Sequence, residues 1–191
     1  MTLSTTFARI ALGTALLTGA HFTWAQQQLL PAQSSVQFTA RQLGVPLEGH
    51  FKKFSAQVAF DPAKLATSKI TFVVDTGSAT LGSRETDAEL PKAAWFNVPV
   101  FPQAQFQSTS IKSLGGGKLD VAGTLTIKGQ TQNVTLPVTL TQTGTTTMAT
   151  GALPIKRLAF KIGENEWADT SMVADDVQVR FKLALTGVGK L

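Results

Sequence analysis

The stretch KLDVAGTLTIKGQTQNVTLPVTL, residues 118–140, decides the architecture. Its first half sets Leu119, Val121, Gly123, Leu125 and Ile127 on one side of an extended chain, with Lys118, Asp120, Thr124, Thr126 and Lys128 opposite. After a break at Gly129-Gln130, Val134, Leu136, Val138 and Leu140 alternate with Asn133, Thr135, Thr139 and Thr141. A period of two residues belongs to a strand and not to a helix. One apolar face per strand belongs to an antiparallel sheet wrapped around an apolar interior.

Working outward, the same period recurs. Val36, Phe38 and Ala40 share a face in a first strand; Phe54, Ala56, Val58 and Phe60 in a second; Ile70, Phe72 and Val74 in a third. A fourth, residues 100–111, is less regular, with Ala104 and Phe106 inward. Residues 118–128 and 132–142 are the fifth and sixth. A seventh spans 145–156, with Ala149, Gly151, Leu153 and Ile155 on one parity, and an eighth spans 177–185, with Val177, Val179, Phe181, Leu183 and Leu185. Eight antiparallel strands with short connections avoid open edges by closing into an all-β up-and-down barrel; a two-sheet sandwich is the alternative. Between strands three and four, Ser83 as N-cap, Glu85 and Asp87 near a helix start, and Ala88, Leu90, Ala93, Ala94 and Trp95 predict one or two short helices over Ser83–Phe96. Residues 157–173 read as a loop crossing one rim.

Residues 1–25 read as a secretory signal peptide. Arg9 gives a positive start, Ile10 to Ala20 is apolar but too short to span a bilayer, and Thr23-Trp24-Ala25 offers small residues for cleavage. The remainder, 26–191, is the size of one domain with its own core. The chain has no cysteine, so an exported form uses no disulfide. Loss of Arg9 lowers the formal charge of +5 by one, and the lysines are spread along strands. That leaves weak attraction to an anionic membrane surface as a minor option. No Arg/Lys cluster is interleaved with aromatic residues, which argues against nucleic acid.

Four motifs invite catalytic readings. Asp75-Thr76-Gly77-Ser78 copies an aspartic-protease loop, but one copy supplies one carboxylate where that chemistry needs two, so Asp75 reads as a turn former. His50, the one histidine beyond the signal segment, has no second histidine or cysteine with which to share a metal and no Gly-x-Ser-x-Gly elbow beside it. Glu85, Asp87 and Glu89 read as a solvated helix face. Gly115-Gly116-Gly117 reads as a hairpin loop. The expectation is a non-enzyme that requires no metal or cofactor.

Several segments, in this order, resemble the YceI-like proteins: Ser35-Val36-Gln37-Phe38, Gly44-Val45, Gly49-His50-Phe51-Lys52-Lys53-Phe54, Asp87-Ala88-Glu89-Leu90, Trp95-Phe96-Asn97, the run from Phe101 to Ser108 and the run from Gly123 to Gly129. The resemblance implies an eight-stranded lipocalin-like barrel, exported to the periplasm, with a hydrophobic channel for an isoprenoid lipid such as an isoprenoid quinone or a polyprenyl phosphate. It departs from the family pattern at Gln42, where many relatives carry histidine, and at Thr86-Asp87-Ala88-Glu89-Leu90, where they carry Arg-Asp-x-His-Leu. Head-group contacts through those basic residues are absent from this sequence. Relatives also leave homodimer formation open.

Twelve Phe and no Tyr make an aromatic set free of hydroxyls, which suits a wall that faces hydrocarbon. A solid core is the competing reading; inward Ala40, Gly123, Ala149 and Gly151 leave room and favour a channel. Parity assigns to the wall Val36, Phe38, Phe54, Phe72, Val74, Phe106, Leu125, Leu136, Val138, Leu153, Val179, Phe181 and Leu183, with Trp95, Phe96 and Trp167 at the rim. Arg84, Lys92 and Arg157 are candidates to meet a head group. The alternatives are a small extracytoplasmic enzyme working through His50 and Asp75, and a stress-related interaction module with a filled core.

Overall fold

The computed structural model of the protein describes residues 27–191, so the signal-peptide segment lies outside the described residues. Eleven strands form one antiparallel sheet: β1 (Gln28–Leu29), β2 (Ser35–Gln42), β3 (Val45–Phe51), β4 (Phe54–Ala59), β5 (Lys69–Asp75), β6 (Ala79–Thr80), β7 (Gln103–Gly115), β8 (Lys118–Ile127), β9 (Gln130–Thr143), β10 (Thr146–Lys156) and β11 (Asp176–Thr186). They run in the order β4-β5-β7-β8-β9-β10-β11-β2-β3-β6, with β1 on β11.

The eight predicted strands are all present, and β1, β3 and β6 are additional. Two of these are only two residues long, below the length at which periodicity is readable. The third, β3, contains Pro46 and Gly49, residues that weaken a strand pattern. β7 begins at Gln103 and not at Val100, because Pro99 and Pro102 interrupt the ladder. Only one helix forms where one or two were expected, α1 (Arg84–Glu89); Pro91 lacks the N–H needed to extend it. Ser83 occupies the N-cap position, but its hydroxyl bonds the Glu85 carboxylate and caps no backbone N–H.

Tight turns fix the register of the central meander. Gly116-Gly117 joins β7 to β8 and Lys128-Gly129 joins β8 to β9, with φ of +58°, +75°, +46° and +73°. Positive φ at both central residues matches the right-handed twist of the flanking strands. Lys128, a non-glycine in that conformation, is held there by its side chain, whose ammonium donates to the Lys161 carbonyl (2.6 Å) and to Glu164 (2.9 Å).

The sheet curls until its ends meet, but no ladder joins β4 to β3, β6 or β1 among the described residues. Side chains and loop backbone close this seam. The Gln27 amide, just before β1, accepts from the Phe60 N–H (2.8 Å) and donates to its carbonyl. At the other end of β4, the Lys52 N–H donates to the Ser78 carbonyl (3.1 Å) and the Lys53 N–H to the Ser78 hydroxyl (3.0 Å).

Two buried clusters occupy the ends of the interior. One is built from Phe60, Phe106, Ile111, Leu119, Val121, Leu140 and Ala149; the other from Ala79, Leu90, Phe96, Ile127, Ile155, Phe160 and Ile162. Between them, inward residues such as Phe72, Leu125, Leu136, Val138 and Leu153 are only partly buried. In a filled core, side chains of this parity would lose nearly all their exposure.

Three inner phenylalanines lie over glycines of neighbouring strands. A Cβ added to Gly49 would sit 2.3 Å from Phe38 Cζ, one on Gly123 2.6 Å from Phe106, and one on Gly151 2.4 Å from Phe181. Phe38 faces Gly49 and Phe181 faces Gly151 directly across the ladder. The glycines thus make room for rings laid against the wall, a subtler use than the vacant space expected of Gly123 and Gly151. Gly49 is the clean test, because the three nearest atoms there are all of the Phe38 ring, whereas a Cβ on Gly123 or Gly151 also meets a backbone carbonyl oxygen. Gly49→Ala should push that ring off the wall and lower stability by about 1–3 kcal/mol, read as a drop in melting temperature of roughly 2–4 °C per kcal/mol.

Candidate functional site

The interior encloses a cavity of about 330 Å³, within the range of small-molecule sites. Strand parity builds its wall, since alternate residues of β2, β4, β5, β7, β8, β9, β10 and β11 project inward. Fifteen of the sixteen residues assigned to wall and rim line it. Phe54 is the exception. Its parity is as expected, but it stands at the first position of β4, its ring 5.9 Å from that of Phe72 and outside the cavity surface. Phe96, expected at a rim, is buried in the second cluster while still facing the cavity.

A cap covers one end, and Arg157 organises it. Strand β10 ends at Lys156, and the chain then runs through residues 157–175 before re-entering the sheet. Arg157, only 2% exposed, directs every N–H of its guanidinium at a main-chain carbonyl of that loop. Nε donates to Ala174 (3.1 Å), Nη1 to Ile162 and Gly163 (both 2.9 Å), and Nη2 to Trp167 and Val173 (both 2.7 Å). Burial pushes its pKa below the usual guanidinium range, while Asp175 pulls the other way. A guanidinium nevertheless stays protonated. With all five donors committed, Arg157 has none left for a head group, which corrects its assignment as a head-group contact.

The loop in turn ties its neighbours together. Gly163 and Glu164 donate to the Ala94 carbonyl, Lys128 reaches Lys161 and Glu164, and the β2–β3 turn joins through Leu43 N–H to Met172 (2.8 Å) and Ala174 N–H to Arg41 (2.9 Å). Trp95 and Trp167 meet over the cavity with ring centroids 5.5 Å apart. The Trp95 indole N–H is buried without a hydrogen-bond partner.

Polar residues that the wall assignment passed over also face the cavity at the cap end: Gln42, Thr86 and Glu89. Each was within reach of pattern. Gln42 continues the Val36, Phe38, Ala40 parity of β2. Thr86 and Glu89, three apart, share one face of α1. The two departures from the family's basic pattern thus come together at one mouth. Glu89 is paired with Lys92, which is itself mostly exposed. Among the lining residues only Glu89 and Arg157 ionise.

The acidic trio is not one solvated face. The Asp87 carboxylate accepts from the buried Thr80 hydroxyl and from the Leu81 N–H (2.7 Å), contacts that hold its pKa below the ordinary value. Neither His50 nor Asp75 lines the cavity. His50 is exposed, and Asp75 accepts from the Gly77 N–H (2.9 Å) as a turn former. Among the described residues no group of three or more His, Cys, Asp or Glu is placed to hold a metal.

A curled antiparallel sheet around an open apolar interior, with one end capped, defines a lipocalin-like barrel. The YceI-like domain matches residues 27–185, and the chain belongs to the YceI-like family. A UPF0312 protein of Pseudomonas putida is 35% identical over 145 residues, covering 74% of this chain and 76% of that protein. BcnA of Burkholderia cenocepacia is similar in structure, with a TM-score of 0.79 and 47% identity, covering 82% of this chain and 98% of that one. A polyisoprenoid binding domain from Saccharophagus degradans, implicated in plant cell wall breakdown, shares the fold with a TM-score of 0.68 at 16% identity, over 84% of this chain and 98% of that one.

Two outcomes follow from the cap. Arg157→Met should destabilise the protein by about 3 kcal/mol or more, because it strands several buried carbonyls. Arg157→Lys, with three donors in place of five, should fall between that variant and the parent; hydrogen exchange across residues 157–175 is the readout. For Asp87, a depressed pKa means its stabilisation is present above the unfolded carboxylate pKa of about 4 and is lost as pH falls through the lower folded value. Acid unfolding should therefore lose part of its pH dependence below about pH 4 in Asp87→Asn, as followed by circular dichroism.

Proposed function

We propose that this protein binds and shields one long isoprenoid lipid, such as an isoprenoid quinone or polyprenyl phosphate, in its barrel cavity. In this reading it is an exported carrier or storage protein of the periplasm. The observation that carries the proposal is the unfilled apolar interior, whose inward side chains stay partly exposed because no protein atoms face them. The fold shared with a polyisoprenoid binding domain supports the same ligand class. Export rests on the signal-peptide character of residues 1–25.

The energetics favour exchange over capture. Burying hydrocarbon is worth about 0.8 kcal/mol per methylene, so several isoprene units would nominally exceed the ceiling of roughly 20 kcal/mol for non-covalent complexes. The competing state is a membrane, which buries the same tail. The net transfer free energy is then small, and loading is reversible. Leu43, Val45 and Met172, exposed at the tip beside the lining residues Gln42 and Val173, offer an apolar contact for transient membrane encounter during transfer. No cofactor is required by this function.

The test is organic extraction of the purified protein followed by mass spectrometry. A stoichiometric isoprenoid is expected from the parent. Phe72→Asp, which places a charge on the cavity wall, should abolish its recovery, whereas Lys118→Ala on the outer face should not. Equal loss in both, or loss in neither, would count against the cavity as the site.

A further inference from the structure

The end of the lumen opposite the cap is crossed by the chain that follows β11. Gly187, at φ +75°, turns the chain out of the ladder, and residues 187–191 then run over the opening. Around this end stand β4, β5, β7, β8, β9, β10, β11 and β1, with Gln27 joining β1 to Phe60 just past β4, so β9 faces β4 across it. The crossing segment touches both sides. A Cβ added to Gly189 would lie 3.6 Å from Pro62, beyond β4. On the far side the Gln142 side-chain amide donates to the carbonyls of Val188 (3.4 Å) and Gly189 (3.2 Å) and accepts from the Leu191 N–H (3.3 Å). Among the described residues these are the only hydrogen bonds that residues 187–191 make. Gln142 extends the inward parity of Val138 and Leu140, and its amide also reaches the buried hydroxyl of Thr147, its cross-strand partner (3.1 Å).

Val188 packs against the buried cluster at this end and lines the cavity together with Phe60, Leu140, Thr147 and Leu185. Of these only Val188 lies outside the alternation of a strand. We infer that Val188, held by Gln142, is the stop against which the far end of an isoprenoid tail rests, so that this pair sets the longest tail the lumen encloses. The inference rests on the lipid-binding reading above and adds to it a selection by chain length. Val177 and Leu185 of β11 both line the cavity, and a rise of about 3.3 Å per residue at a barrel tilt of about 40° gives a lumen roughly 20 Å long between them. A tail that falls short leaves apolar wall uncovered. One that overshoots must displace Val188, losing its packing and the bonds from Gln142, and the carbons pushed past the strap return to water with nothing gained. Affinity therefore climbs with chain length only as far as the stop.

The experiment loads delipidated protein with an equimolar mixture of geranylgeraniol and the longer solanesol and reads the bound ratio by native mass spectrometry. Val188→Gly, which removes the stop, should raise the share of solanesol by about tenfold or more, since burying two further methylenes is worth that much. Gln142→Ala, which frees the strap and leaves Val188 in place, should move the ratio the same way. Val188→Trp, which thickens the stop, should lower it. Opposite shifts from two substitutions at one position are not produced by a general loss of stability, and loading of geranylgeraniol reports that each variant is folded. If Val188→Gly and Val188→Trp move the ratio in the same direction or not at all, or if Gln142→Ala leaves it at the parent value, the inference is overturned and the lipid cavity stands. Failure of geranylgeraniol to load the parent would overturn both.

Discussion

A buried guanidinium that satisfies five main-chain carbonyls is the anchor on which the rest of this molecule depends. The loop from residue 157 to 175 has little regular structure, so its carbonyls lack ladder partners and, once removed from water, would each be costly. Arg157 resolves them together from one point. Because Lys128, Ala94 and the β2–β3 turn all bond to that loop, fixing the loop fixes the whole cap. The positive charge is held in place by carbonyl dipoles, with Asp175 contributing from a distance. What would be an ion site in another setting is here a structural clamp.

The barrel below the cap meets a different constraint, which is to remain open without losing stability. Interiors normally close to crystalline density, and an unfilled space forfeits contacts for every atom that lines it. This protein concentrates its dense packing in two clusters at the ends and lets the middle stay thinly packed. Phe38, Phe106 and Phe181 contribute to the wall by lying along it over Gly49, Gly123 and Gly151, which keeps aromatic area in the structure while holding the bore clear. The seam follows similar logic: Gln27 and the Lys52-Lys53 backbone satisfy the edges of β4 with a few bonds, and the ladder need not run full circle.

Most of the barrel was legible from alternation alone, because each long strand has one wet and one dry face and residues 118–140 show this almost without error. Fifteen of the sixteen predicted wall and rim positions face the cavity for the same reason. Phe54 shows where parity stops: it gives the side of the sheet but not the height along the barrel, and the cavity takes in Ala56 and Val58 further along β4 but not its first residue. The short strands β1 and β6 carry too few residues for a period, and Pro46 and Gly49 disguise β3. The role of Arg157 depends on carbonyls brought to it by the return of the chain, which no local pattern encodes. Alternation puts Lys128 among the outer polar residues, whereas in the structure its ammonium is buried against the cap loop at Lys161 and Glu164. Gln42, Thr86 and Glu89 lie within reach of periodicity, but their polar side chains carry no apolar signal to mark them as wall.

The three wall glycines carry a consequence for how such a container diversifies. None of them lines the cavity, yet each sets the attitude of a ring that does. Calibre and surface chemistry are therefore under separate control. At Gly49, where the three nearest atoms are all of the Phe38 ring, a single methyl added behind that ring narrows the lumen without altering the chemistry of any atom a guest would touch, so the bore can be tightened for thinner cargo from a position that a survey of contacts would never flag.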